Sequence, residues 1–140
     1  MRKGRVGGFA LFAAFMAVAM VGCGGGGAPN DKTKTGAAVS LTGNAEAGRS
    51  VFINSCVACH GPEGAGGVPN AGSSDGTIPE LKPIDEGFSS TASMDKVIEH
   101  GALPEGDSPE KKMPAFGDQK MLTPQQIADV IAYVQSINRK

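Results

Sequence analysis

The sequence predicts an all-α fold. Three capped or amphipathic helical segments stand out, no run alternates as a strand, and long Gly- and Pro-rich stretches separate the helices. Loops of that length in a small domain need something to wrap. At 140 residues the chain suffices for one modest domain. It has 21 Gly, one Tyr and no Trp, so its apolar core is thin and calls for help from something that is not protein.

The first helix is expected after Asn44, with Ala45, Ala47, Gly48, Val51 and Phe52. Gly48 and Phe52 lie four apart and share a face. A glycine there costs about 1 kcal/mol relative to alanine, and a close helix crossing accounts for it. The next helix is short. Ser93 is its expected cap, Met94, Val97 and Ile98 face inward, and Gly101 ends it. The last helix, in "LTPQQIADVIAYVQSI", has the clearest signals. Thr123 is a natural N-cap, Pro124 suits the first helical position, and Gln126 completes a capping box. Ile127, Val130, Ile131, Val134 and Ile137 form one apolar stripe, flanked by Tyr133. Residues 61–90 and 101–122 remain as loops.

The N-terminus reads as an export signal, residues 1–22. Arg2, Lys3 and Arg5 precede an uncharged, mostly apolar stretch from Val6 to Val21. That stretch is short for a membrane span, which needs about 20 residues. Small residues then precede Cys23, and glycines follow it. "MVGCGGGG" resembles a bacterial lipobox, with Met20 in place of the usual leucine. The resemblance implies lipidation at Cys23, an anchor strengthened by about 0.8 kcal/mol for each buried CH₂. A conventional cleavage nearby is the alternative. Residues 23–43 read as a lipid-anchored flexible linker, and 44–140 as the folded domain. That domain carries eight Lys or Arg against thirteen Asp or Glu, a balance of −5 hidden by the basic signal. Such a surface steers basic partners. No basic cluster with interleaved aromatics appears, so nucleic acid is not an expected partner.

"INSCVACHG", residues 53–61, concentrates the metal-binding chemistry. The chain has three cysteines and two histidines, and this stretch holds Cys56, Cys59 and His60. A thioredoxin-like redox pair belongs beside a βαβ unit, and no strand is expected. Structural zinc wants four ligands, and His100 alone remains outside the motif apart from Cys23. A disulfide would close a tiny loop and leave His60 unexplained. Covalent haem suits all three residues. Cys-x-x-Cys-His attaches haem through two thioethers and puts histidine on one face of the iron. If Cys23 carries lipid, no cysteine is left over.

Residues 44–140 resemble a small, monohaem, class I cytochrome c. The matching pieces are "AGRSVF", "CVACHGPEGAGG", "KKMPAF" and "LTPQQIADVIAYVQSI", in the family's order. The resemblance implies three to four helices wrapped round one covalent haem c, with the first and last crossing near Gly48, Phe52 and Tyr133. The candidates for a sixth iron ligand are Met94, Met113, Met121 and His100. Met94 suits core packing, Met121 suits packing at the start of the last helix, and His100 suits a surface imidazole at a helix C-terminus. Met113 in "KKMPAF" matches the family's axial methionine. Pro79, in "TIPELKPI", resembles the family proline whose carbonyl orients the axial histidine, a role for which Pro69 is a rival. Gly64, Gly66 and Gly67 are expected to let backbone lie close to the porphyrin, or to be mobile loop positions. Residues 103–112 read as a solvated polar insertion or a docking loop.

The resemblance implies a single-electron carrier, not an enzyme. It would be exported to a bacterial envelope, lipid-anchored on the periplasmic side, and monomeric, and would meet redox protein partners by transient docking. The alternatives are an accessory haem subunit of a larger oxidase or dehydrogenase, and a peroxide- or gas-binding protein with a displaceable methionine.

Overall fold

The computed structural model describes residues 32–102, 106 and 109–139. The signal segment, Cys23 and part of the polar insertion lie outside these residues. Among the described residues there are four α-helices: α1 (Ala45–Ser55), α2 (Val57–His60), α3 (Thr91–His100) and α4 (Pro124–Ile137). Among the described residues there is no strand, only two isolated antiparallel bridges, Pro69 with Thr77 and Ala102 with Met113. The all-α expectation holds.

α1, α3 and α4 each start on a polar side chain that meets free N–H groups, whereas α2 follows α1 directly and has no side-chain cap. Asn44 Oδ1 accepts from the amides of Glu46 and Ala47. Thr123 and Gln126 form the expected capping box. At α3 the cap is Ser90, not Ser93. Ser90 Oγ accepts the Ser93 amide at 3.0 Å, so the helix begins at Thr91 and Ser93 sits in its first turn. Gly101, at φ 74°, closes it as expected.

α1 and α4 cross in intimate contact. A Cβ on Gly48 would meet the backbone carbonyl of Asp129 well inside van der Waals distance. Only hydrogen fits there. One turn on, the Phe52 and Tyr133 rings lie 5.2 Å apart at 51°, a favourable tilted pairing. Asp129, nearly buried between the helices, accepts from Asn44 N and from Gln125 Nε2. Its carboxylate thus ties the start of α1 to α4 and leaves no desolvated charge without a partner. The stripe from Ile127 to Val134 fills the core with Phe52, Met94, Phe116 and Leu122.

The segment read as a flexible linker is in part built into the fold. Ala37–Ser40 form a 3₁₀ turn, and Ala38 is fully buried in the core cluster. Gly36 N donates to Asp95 Oδ2. His100 is likewise no surface imidazole. Its Nδ1 lies 2.9 Å from Asp118 Oδ2, and its Nε2 lies 2.9 Å from the carbonyl of Lys34. Both ring nitrogens face acceptors, and only the imidazolium can donate to both. The hydrogen bond to Asp118 accordingly raises the His100 pKa above its ordinary value near 6.5. Glu99 is raised too, by burial and by the Asp95 and Asp118 charges beside it. Met121, expected to pack at the head of α4, points outward and is 54% exposed; Leu122 fills that place.

Two expectations follow. Gly48→Val should destabilise the domain by about 3 kcal/mol or more in denaturant unfolding, because α1 must lift off α4. The His100 contribution to stability is complete below pH about 6.5 and is lost as pH rises through its raised folded value. His100→Gln should flatten that fall; an unchanged pH slope would show that another group carries it.

Candidate functional site

α1 runs through Cys56 into the single turn α2, and this junction sets the motif. Cys59 N and His60 N both donate to the Cys56 carbonyl, at 3.1 and 2.9 Å. The thiols therefore sit one turn apart, with the imidazole next along the turn. Gly61, at φ 72°, ends it.

Cys56, Cys59, His60, Pro79, Met94 and Met113 all line one cavity of about 490 Å³. Its walls are chiefly apolar, with Phe52, Ile78, Leu81, Ile98, Phe116 and Val134 among them. The volume lies within the usual range for sites that hold a small molecule or cofactor, roughly 300–1,000 Å³. Neither thiol is in a disulfide. Burial, and then the neighbouring Cys59, push the Cys56 thiol up to about 11. His60 is pushed down by burial, against the opposing effect of the Pro79 carbonyl. Its ring is therefore held neutral near pH 7, the form that can bind a metal.

Pro79 O lies 3.5 Å from His60 Nδ1, at the long limit of hydrogen-bond reach. Pro69 O instead accepts from Lys111 Nζ. Of the two prolines, then, Pro79 is the one beside the imidazole. Gly64 and Gly66 do not line the cavity. Their bare Cα atoms let the loop after His60 press against Leu81 and Glu80, where a Cβ would collide at 2.9 and 2.6 Å. Met113 comes from the far loop and pairs with Ala102 through Met113 N to Ala102 O at 3.0 Å and Ala102 N to Met113 O at 3.3 Å. His100 lies outside the cavity, in its own contacts with Asp118 and Lys34.

The sequence reading missed Asn70. It is fully buried, and its side chain holds both backbone groups of Lys111. A buried asparagine in a Gly-rich loop has no periodic signature. Its partner lies 41 residues away, so only the fold reveals it.

A helical shell around one apolar cavity, with Cys-x-x-Cys-His on its wall, defines a small c-type haem protein. Residues 45–138 match the family model described as cytochrome c, and the chain belongs to the cytochrome c family. It is 36% identical over 97 residues to the Cbb3-type cytochrome c oxidase subunit FixP of Sinorhizobium medicae (strain WSM419). That match takes in 66% of this chain and 30% of the relative, so the chain spans about a third of that protein's length. No solved structure matches it. Membership gives the cofactor, haem c with its iron, and the cavity fits it in size, apolar lining and donor set.

Proposed function

We propose that the chain is a single-electron carrier whose haem is held by Cys56 and Cys59 as thioethers and by His60 and Met113 as axial iron ligands. The observation that carries this is the convergence of those four side chains, from two distant segments, on one apolar cavity. When bound, the haem supplies a reversible one-electron couple. The residues around it set its conditions. Pro79 O orients the His60 ring by accepting from Nδ1, which leaves the other nitrogen for iron. The Met113 thioether is neutral and soft; it favours the reduced iron and raises the potential relative to a second imidazole. Two protein ligands leave the iron no position for substrate, and the apolar walls limit water reorganisation. Both features favour electron transfer over bond-making chemistry.

In this reading residues 1–22 direct export and lipid on Cys23 holds the domain at a bacterial envelope membrane. Partners dock transiently, and a shared membrane raises their effective concentration. No helix among the described residues is long and apolar enough to cross a membrane. A second reading, an accessory subunit of a larger oxidase, is favoured by the similarity to an oxidase subunit. A stoichiometric partner recovered from membranes in mild detergent would support that reading over a free shuttle.

The oxidised holoprotein should show the weak long-wavelength absorption band of iron–methionine ligation, and Met113→Ala should abolish it. A high-spin wild-type spectrum, or ready carbon monoxide binding at neutral pH, would sink the carrier assignment. Cys23→Ser should move the protein from the membrane fraction to the soluble envelope fraction; persistence at the membrane would refute lipid anchoring there.

A further inference from the structure

The loop between His60 and α3 contains a small closed unit. Gly67 N donates to Ile78 O at 3.1 Å, Ile78 N to Val68 O at 2.7 Å, and Asn70 N to Gly76 O at 2.8 Å. Ser73 Oγ caps the turn by donating to Asn70 O at 2.7 Å. Residues 67–78 thus form a hydrogen-bonded hairpin, although only Pro69 and Thr77 pair as a regular bridge. At its base the hairpin leads straight into Pro79, beside His60.

Its other side meets the segment that carries Met113. Asn70 Nδ2 donates to Lys111 O at 3.1 Å, and Lys111 N donates to Asn70 Oδ1 at 2.7 Å. Glu110 N donates to Ala71 O at 2.9 Å, and Lys111 Nζ donates to Pro69 O at 2.6 Å. The asparagine amide serves as a surrogate strand partner for Lys111. Two residues on, Met113 is held in the same two-bond manner by Ala102. The chain before the methionine is therefore pinned twice, from two different parts of the fold.

We infer that Asn70 is a positioning residue for Met113, and that the 67–78 hairpin is a staple joining the supports of the two axial ligands. The inference rests on the axial roles proposed for His60 and Met113. Asn70 does not line the cavity; it acts through the backbone of Lys111. Being fully buried, it has no water to replace its bonds, so loss of the amide strands both Lys111 groups. The loop then opens more readily, and Met113 leaves the iron more often.

The test is imidazole competition on the oxidised holoprotein, read by loss of the long-wavelength methionine band. Imidazole binds only when Met113 is off. Asn70→Ala should bind imidazole at least about tenfold more tightly than wild type. Ile127→Ala, which loosens the core away from the cavity, should change it by less than about threefold. Equal affinity in Asn70→Ala and wild type overturns the staple, as does an Ile127→Ala shift as large as that of Asn70→Ala. Absence of the band in wild type removes the axial role of Met113 and the staple with it; a band with unchanged affinity removes the staple alone. Hydrogen exchange on the wild-type holoprotein serves if Asn70→Ala does not fold. The Lys111 amide should be protected like that of Met113, and exchange at the free-peptide rate overturns the inference.

Discussion

The crossing of α1 over α4 is the contact on which the rest depends. Gly48 brings the two backbones together, and Phe52 and Tyr133 fill the space one turn further on. α1 continues directly into the turn that carries Cys56, Cys59 and His60. Fixing α1 against α4 therefore fixes the attachment motif against the opposite side of the domain. Asp129 secures the same crossing electrostatically, with its charge met by Asn44 N and Gln125 Nε2. A small domain with few aromatics gains from such economy. One glycine, one ring pair and one satisfied carboxylate orient the wall of the site.

The two halves of that site are built by different physics. The Cys-x-x-Cys-His side is local. Its spacing is a helical turn, and the chain needs little more than the Cys56 carbonyl hydrogen bonds to present it. The Met113 side is not local. Its described residues form no helix and take their shape from Ala102 on one side and Asn70 on the other. Long glycine-rich loops first read as wrapping material turn out to contain the bonds that hold this segment in place. The Gly64 and Gly66 positions belong to the same scheme, since they allow the loop after His60 to lie on Glu80 and Leu81, next to Pro79.

The N-terminal segment shows how polar composition can mislead. Gly36 to Ser40 lack an apolar period, yet Ala38 is fully buried and Gly36 bonds to Asp95. The segment docks by one small side chain and by backbone groups, which composition does not register. The cluster it covers, with Asp95, Glu99, His100 and Asp118, makes the seam sensitive to proton binding. His100, one of only two imidazoles in the chain, is used there and does not line the cavity.

The sequence by itself determined the helices, most of their caps, the apolar stripe of α4 and the attachment motif, because each is a short-range pattern set by the helical period or by capping chemistry. It also pointed, through its resemblance to the cytochrome c family, to Met113 and Pro79. The tertiary structure alone decided which proline stands beside His60, that Ser90 and not Ser93 caps α3, that the segment before α1 is docked as far back as Lys34, and that Asn70 grips Lys111. Ser90 was a neighbouring choice that local pattern left open. The others join residues far apart in sequence through single backbone or side-chain hydrogen bonds. Such contacts leave no period to read, since their partners are selected only after the core has packed.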